Sequence, residues 1–274
     1  MSTSRTQETA SVQTFQIPLE AAESYEQNLV PMLFAEWGQH LVDAAGVISG
    51  QRLLDVACGT GAATRVAADT VGPDGSVVGL DLNENMLVVA RRFRADIEWR
   101  RGDAAALPFG DASFDAVLCA SGLMFFPDVA QSLAEMARVL RPGGTVATQT
   151  WASTDAQAGY GPMIDVVARH AGADAVGLVN TYFRLGDLEQ LSRLFTAAGL
   201  AVSSTRTLSS MIELPSVDAL VRSEIESTPL IDQITDAVYE RILEDARVAL
   251  HPFCSESGEL HMPITGHIVV ARPA

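Results

Sequence analysis

The sequence of 274 residues has little positive charge, and this shortage narrows the class of partner. It carries 18 basic side chains against 34 acidic ones, which gives a formal net charge of −16 at neutral pH. A uniformly acidic surface repels phosphate backbones and anionic membranes. We therefore expect no nucleic acid and no membrane as partner, which leaves a small molecule. Independently of the charge, a homodimer is the candidate assembly.

Cysteines and long apolar runs are also scarce. The three cysteines, Cys58, Cys119 and Cys254, are odd in number, far apart and without metal-ligand spacing, so we predict reduced thiols and no metal site. No window approaches the roughly 20 apolar residues that a membrane-spanning helix needs. Residues 1–16 are polar and lack the apolar core of a signal peptide. These features predict a cytoplasmic protein in which residues 1–18 form a flexible tail.

Apolar residues make up 48% of the chain, enough for a large core, and they recur as alternating strands and helices. Two helices separated by Pro31 are predicted within 19–47. The predicted strands are 51–57, 76–82, 96–101, 114–119, 144–151, 201–214 and 264–271. The predicted helices are 62–70, 85–93, 129–140, 155–171, 185–198 and most of 216–250. Such alternation predicts an α/β fold with parallel crossovers and helices on both faces of the sheet.

The most informative local feature is a glycine-rich turn between the first strand and the following helix. Gly59 and Gly61 follow a buried apolar run and precede a helix N-terminus, where backbone N–H groups are free to bind a ligand. Asp81 lies 20 residues after Gly61, at the end of the second strand, which is the spacing of a carboxylate that binds ribose hydroxyls. Dinucleotide sites and S-adenosylmethionine sites both have this arrangement, so these features alone leave the adenosine-like ligand open.

Further motifs separate the two possibilities. Asp55 lies inside the first strand, where a dinucleotide site usually has an apolar residue, and Thr64 occupies the third glycine position of the dinucleotide fingerprint. Gly102 and Asp103 follow the third strand, and Leu107-Pro108-Phe109 comes next. These residues argue against a nicotinamide-dependent dehydrogenase.

The motifs Leu54–Gly61, Gly79-Leu80-Asp81, Gly102-Asp103-Ala104 and Arg141-Pro142-Gly143-Gly144 occur in this order between residues 50 and 151. In these motifs and their order, the chain resembles the class I S-adenosylmethionine-dependent methyltransferases, within the small-molecule group that includes ubiquinone/menaquinone C-methyltransferase-like proteins. The resemblance implies a Rossmann-like, doubly wound, seven-stranded sheet, mostly parallel with a final antiparallel strand, and with helical lid insertions. It implies a single domain over 19–274, with its core at 50–151 and lid segments at about 19–47, 152–184 and 215–262.

The resemblance also implies a site for S-adenosyl-L-methionine and its product S-adenosyl-L-homocysteine. Gly59 and Gly61 would approach the methionine part, and Asp55 would orient its amino group. Asp81 would bind the ribose hydroxyls, and Asp103 the adenine amino group. The implied site residues are Tyr25, Asp55, Ala57, Gly59, Gly61, Asp81, Leu82, Met86, Gly102, Asp103, Ala104 and Ser121.

The expected reaction is methyl transfer to oxygen or carbon of a small, largely apolar metabolite. An in-line displacement mainly requires positioning and the exclusion of water, so no catalytic triad is needed. An apolar acceptor wall is predicted from Met124, Phe125, Phe126 and Trp151. A histidine could act as base, but a packing or surface role is favoured for each of the five, and no catalytic residue is assigned. These are His40, His170, His251, His261 and His267. A cyclase, or a protein that binds S-adenosylmethionine without transfer, is the alternative.

Overall fold

The computed structural model describes residues 16–232 and 234–274. Its strands are β1 Arg52–Val56, β2 Ser76–Asp81, β3 Glu98–Arg101, β4 Phe114–Ala120, β5 Leu140–Trp151, β6 Leu200–Leu214 and β7 Leu260–Pro273. Its helices are α1 Leu19–Ser24, α2 Ala35–Ala45, α3 Ala62–Val71, α4 Glu84–Phe93, α5 Val129–Val139, α6 Tyr160–Phe183, α7 Leu188–Ala197, α8 Val217–Glu226 and α9 Asp236–Ala249. A π-helical segment, Tyr25–Phe34, joins α1 to α2.

The strands form one seven-stranded sheet in the order β3-β2-β1-β4-β5-β7-β6. The strands from β3 to β5 pair in parallel, whereas β7 is antiparallel to both β5 and β6. This confirms the predicted fold class. The strand order reverses between β1 and β4, and in open α/β sheets the crevice at such a reversal, at the carboxyl ends of the strands, is the usual ligand site.

Local sequence signals explain where the helices begin. The side chains of Asn83, Asp128, Asp187 and Ser216 each accept a hydrogen bond from a backbone N–H in the first turn of α4, α5, α7 and α8. Such caps satisfy donors that a helix N-terminus otherwise leaves unpaired. The central strands are buried along most of their length, as in β4, where Ala116, Val117 and Leu118 are almost completely enclosed. The predicted apolar strands are therefore central to the core.

Several predicted boundaries differ from the structure, among them the last strand, β7, which starts at Leu260 instead of at residue 264. Pro31 does not separate two helices, because the chain stays helical through it with the wider π geometry, which accommodates the missing N–H. Gly172, at a φ of 84°, kinks α6, which extends to Phe183. Pro229 lies in a short 3₁₀ turn that separates α8 from α9 within the segment predicted as mostly helical. Strand β5 starts at Leu140 instead of at residue 144, because Leu140 already pairs with Phe114. A register shift follows this pair.

The predicted tail ends earlier than residue 18. Ile17 is buried, and its carbonyl oxygen accepts hydrogen bonds from the side-chain amides of Asn83 (3.2 Å) and Asn85 (2.9 Å). Residues 16–18 therefore pack onto the domain, while the rest of the predicted tail, 1–15, lies outside the described residues. Within the described part of the chain, none of the helices combines the length and the apolar character needed to cross a membrane.

Candidate active site

A cavity of about 280 Å³ opens at the carboxyl ends of the parallel strands. It lies where β1 and β4 end, beneath the π-helical segment and parts of α6 and α8. The predicted site residues that line it are Tyr25, Ala57, Gly59, Asp81, Leu82, Met86, Gly102, Asp103, Ala104 and Ser121. The sequence motifs of four separate strand ends are thus brought to one cavity.

The backbone is strained where β1 and β4 turn into this cavity. Ala57 and Ser121 have positive φ angles of 57° and 51°, which are uncommon for residues other than glycine. A Cβ atom on Gly122 would lie 2.7 Å from the Cβ of Ala57, so the two strand ends approach closely. The Ser121 hydroxyl donates to the side chain of Gln149 on β5, which supports this conformation. Strained backbone of this kind is concentrated at binding and catalytic sites.

Asp81 connects the end of β2 to the glycine turn. Its Oδ2 accepts a hydrogen bond from the Gly59 N–H (2.8 Å), and its Oδ1 accepts one from the Asn83 N–H (2.8 Å). Burial raises the pKa of Asp81, although these backbone donors oppose the rise. A carboxylate held by backbone donors at the cavity wall retains lone pairs for ligand hydroxyls.

Asp55 lies behind the turn rather than in the cavity wall. It is fully buried, and its Oδ2 accepts a hydrogen bond of 2.6 Å from the Thr64 hydroxyl. Its Oδ1 has no hydrogen-bond partner within the described residues. Burial raises the pKa of Asp55 to about 7, despite the Thr64 bond that lowers it, and the charge of Asp81 adds to the rise. A buried acceptor without a partner indicates that a donor, from water or a ligand, belongs there.

Two predicted site residues have contacts different from those expected. Gly61, with a φ of 92°, does not line the cavity, because the side of the backbone where a Cβ would stand faces Trp99 at 2.3 Å. Its role is close packing at the start of α3. Asp103 lines the cavity but is exposed, and its Oδ1 accepts the Ala105 N–H at 2.8 Å. The carboxylate therefore also stabilises its own turn.

An aromatic wall forms the other side of the cavity. All four residues predicted for the acceptor wall, Met124, Phe125, Phe126 and Trp151, line the cavity. Phe34 lies against Trp151, with ring centroids 6.3 Å apart, and Phe125 meets Tyr182 edge to face at 5.7 Å. Tyr25 stacks on Phe34 at 5.0 Å, which connects the predicted cofactor side to this wall. Rings packed in this way make a rigid, apolar surface.

None of the five histidines is among the residues that line this cavity. His170 contacts Asp245 on α9, with 2.9 Å between Nε2 and Oδ2. His267 donates from Nε2 to the Gly186 carbonyl oxygen, and burial lowers its pKa. These contacts give the two histidines structural roles and leave no imidazole beside the cavity within the described chain.

Sequence reasoning missed the polar groups that the lid elements contribute. Tyr160 and Tyr182 on α6 and Glu224 on α8 line the cavity, and the Tyr160 hydroxyl donates to Glu224 Oε1 at 2.6 Å. The signal for Glu224 was available, because it follows Leu220 and Val221 at the spacing of the apolar face of α8. An acidic residue on an apolar face indicates a special environment.

The site fits S-adenosylmethionine on observations of its own residues. The carboxylate of Asp81 lines the cavity beside the turn at Gly59 and offers acceptor oxygens to a hydroxyl-bearing ligand, while the unpaired Oδ1 of Asp55 lies behind this turn. Leu82 and Met86 provide apolar surface beside Asp81.

Comparison with known proteins shows which sequences and structures this chain resembles. The family described as "Methyltransferase domain" matches residues 54–148. Demethylmenaquinone methyltransferase of Renibacterium salmoninarum is 50% identical over 108 residues, which are 39% of this chain and 44% of that protein. The Staphylococcus epidermidis enzyme of the same name is 43% identical over 126 residues, 45% of this chain and 50% of that protein. The chain thus spans about half the length of the curated relatives that it matches.

A solved structure extends the similarity in fold beyond the matched sequence. Phosphoethanolamine N-methyltransferase 2 of Haemonchus contortus, in complex with S-adenosyl-L-methionine, has a TM-score of 0.59 at 18% identity, covering 94% of this chain and 58% of that chain. At this identity the likeness concerns the fold alone. In sequence, residues 54–148 match the methyltransferase-domain family, and the chain is similar to demethylmenaquinone methyltransferases over 39% to 45% of its length.

Proposed function

We propose that this chain transfers the methyl group of S-adenosyl-L-methionine to oxygen or carbon of a small, largely apolar acceptor. The observation that carries the proposal is a single cavity with two unlike sides. One side has the glycine turn and Asp81, and the other has the aromatic wall around Trp151. A cofactor on the first side and an acceptor on the second would be neighbours.

The residues of the first side would hold the cofactor. Asp81 accepts hydrogen bonds from ribose hydroxyls, Leu82 and Met86 pack against the adenine, and Asp103 with Ala104 contacts its edge. Asp55 supplies the acceptor for the amino group, directly or through water, since its Oδ1 is unpaired within the described chain. When bound, the cofactor supplies an activated methyl group on a positively charged sulfur. The remaining contribution of the protein is orientation and the exclusion of water.

The acceptor class follows from the second side of the cavity. Phe125, Phe126 and Trp151 present apolar surface, which favours a ring or an aliphatic body over a charged polymer. The relatives whose names specify demethylmenaquinone match 108 and 126 residues of this chain, and the family match ends at residue 148, before most lid residues begin. A quinone-related acceptor is therefore one member of the proposed class, and the lid residues would select among such molecules.

The setting of the reaction is part of the same proposal. Unpaired Cys58, Cys119 and Cys254 support a reducing compartment, the cytoplasm. The net charge of −16 supports an acceptor other than nucleic acid.

The edge strand β6 supports a homodimer, since an edge strand offers unpaired backbone groups to a second copy. Light scattering on the purified chain would test the dimer, and a monomer at micromolar concentration would refute it.

Calorimetric titration with S-adenosylmethionine and with S-adenosylhomocysteine tests the function. We expect both to bind, and Asp81→Ala to weaken binding by about 1–3 kcal/mol, the usual loss for hydrogen bonds to a charged group. Asp74→Ala, in an exposed turn, removes the same charge and serves as the control. Absence of binding to either compound would refute the proposal. Tight binding without labelled methyl transfer to any apolar hydroxylated or quinol acceptor would favour the non-transferring alternative.

A further inference from the structure

A buried polar cluster interrupts the apolar wall of the cavity. Glu224 on α8 is only 7% exposed, and it lines the cavity together with Tyr160 and Tyr182 of α6 and with Thr228. The aromatic ring of Phe183 packs beside both tyrosines of this cluster. Carboxylates are rarely buried in such surroundings without a counter-charge. None of the ion pairs among the described residues includes Glu224, so no counter-charge compensates for the burial of this carboxylate.

Only part of the hydrogen-bonding capacity of Glu224 is used inside the protein. Oε1 accepts the Tyr160 hydroxyl at 2.6 Å, whereas Oε2 accepts no hydrogen bond from any described residue. Burial raises the pKa of Glu224, while the Tyr160 bond opposes the rise. The Tyr160 hydroxyl thus orients the carboxyl group and leaves its second oxygen for another donor.

A second polar group with unused capacity lies close to Glu224. The Tyr182 hydroxyl is buried and makes no hydrogen bond of acceptable geometry within the described chain, although it lies beside Thr228. The Thr228 hydroxyl is already engaged, since it donates to the Glu224 carbonyl oxygen and accepts the Leu230 N–H. The ring centroid of Phe183 lies 6.4 Å from that of Tyr182 and 5.5 Å from that of Tyr160. Tyr160 is the hydrogen-bond partner of Glu224, so Glu224 and Tyr182 line the same part of the cavity.

Together the two groups match one chemical feature of a ligand. A hydroxyl is both donor and acceptor, so it can donate to a carboxylate oxygen and accept from a phenol at the same time. A carbonyl, an ether or a hydrocarbon can use at most one of these partners. A ligand hydroxyl bonded to both groups would remove the free-energy cost of leaving them buried and unpaired. The pair would therefore bind a hydroxylated ligand more tightly than one without a hydroxyl.

Building on the proposed function, we propose that Glu224 and Tyr182 form the acceptor-recognition subsite, which binds the hydroxyl of an apolar, phenol-like or enol-like molecule. Glu224 Oε2 accepts the hydrogen bond of that hydroxyl, Tyr182 donates one to its oxygen, and Tyr160 is a positioning residue for Glu224. Phe125 and Phe183, which contact Tyr182 and Tyr160 respectively, hold the body of the molecule. The subsite thus narrows the acceptor class to hydroxylated apolar compounds.

A matched pair of probes isolates the hydroxyl. Binding of 2-naphthol and of 2-methylnaphthalene to the full chain saturated with S-adenosylhomocysteine is measured by fluorescence titration. The two probes have the same ring system and differ by a hydroxyl in place of a methyl group. For the unmodified protein we expect 2-naphthol to bind at least about tenfold more tightly, because two hydrogen bonds to otherwise unpaired buried groups are gained.

Two substitutions test the named groups. Tyr182→Phe removes a hydroxyl that has no partner in the described structure, so it should leave the fold intact and reduce the preference for 2-naphthol by about fivefold. Glu224→Gln keeps the volume but weakens the acceptor, and should reduce the preference by a similar factor. Glu226→Gln, on the exposed side of the same helix, should change nothing. The S-adenosylhomocysteine affinity and the unfolding midpoint should stay the same in Tyr182→Phe.

The outcomes separate this proposal from the proposed function. If S-adenosylhomocysteine binds but the unmodified protein shows no preference for 2-naphthol, or binds neither probe, the subsite is wrong and the methyltransferase proposal survives. An undiminished preference in both Tyr182→Phe and Glu224→Gln also overturns the subsite. Failure of S-adenosylhomocysteine to bind would count against the proposed function itself.

Discussion

Asp55 should make the stability of the protein depend on pH in a way that one substitution removes. The carboxyl group is fully buried behind the glycine turn, with Thr64 as its one hydrogen-bond donor in the described structure. Burial raises its pKa from 3.8 to about 7. Because the pKa is higher in the folded state, the unfolded chain releases this proton first as the pH rises. The stability associated with Asp55 is therefore fully present below about pH 3.8 and is lost as the pH rises to about 7.

The size of the effect follows from the difference between the two pKa values. That difference is about 3, and each pKa unit corresponds to about 1.4 kcal/mol, so the full loss is about 4 kcal/mol. Most of it falls between pH 4 and 7, where the unfolded chain is ionised and the folded carboxyl is not. Between pH 5 and pH 7 alone, the expected loss is about 2 kcal/mol.

Asp55→Asn removes the titration while keeping the shape. The amide oxygen can still accept the Thr64 hydroxyl, and the amide group has no proton to release. We expect the free energy of unfolding, from urea denaturation followed by circular dichroism, to fall between pH 5 and pH 7 by about 2 kcal/mol more in the unmodified protein than in the variant. Asp74→Asn, at an exposed turn, should retain the pH dependence of the unmodified protein. Parallel pH curves for the unmodified protein and Asp55→Asn would refute the assignment of a raised pKa to this carboxyl group.

Two further substitutions test packing around the site. Gly61→Ala should destabilise the protein by at least about 2 kcal/mol in urea denaturation, since its Cβ would lie 2.3 Å from Trp99 at a φ of 92°. Gly50→Ala, at a φ of 82° with open space around it, should cost only about 1 kcal/mol. Equal losses in the two variants would show that the Trp99 contact is unimportant. Arg184→Met removes the guanidinium that donates to two carbonyl groups in the turn after β4, and should raise the KM for the acceptor several-fold with little change in cofactor affinity. Arg193→Met, at an exposed position, should leave the KM unchanged. An unchanged KM in Arg184→Met would contradict this role.

The gathering of the predicted cofactor residues at one cavity was predictable because its determinants are local. Each motif combines a strand end with the residues that follow it, so the parallel sheet brings Gly59, Asp81 and Asp103 to one edge without any knowledge of packing. Their side-chain roles were less predictable. Gly61 belongs to the same motif as Gly59, but its contact is Trp99, which follows it by 38 positions and comes from β3. A spacing rule cannot distinguish a glycine that faces a ligand from one that faces a tryptophan.

The acceptor half was harder to predict because it depends on distant pairs. Glu224 meets Tyr160 across 64 positions of sequence, and the two residues lie on different helices. The apolar periodicity of α8 places Glu224 on the buried face, but it does not say what the carboxyl group will meet. Pro31 shows the same limit within a helix, since tertiary packing maintained a π-helical path where local chemistry favoured a break.

The two halves of the cavity are joined by contacts that can vary independently of the motifs. The Ser24 hydroxyl lies 2.9 Å from that of Ser227, which connects α1 to the end of α8, and Arg65 on α3 pairs with Glu26 at 2.8 Å. Both contacts tie the N-terminal helices to the rest, one to the lid and one to the helix that starts at the glycine turn. Closing the cavity therefore depends on segments from opposite ends of the chain, outside residues 54–148. If these segments form the proposed lid, substitutions at Ser24 and Ser227 should affect the proposed acceptor side without touching the strand-end motifs.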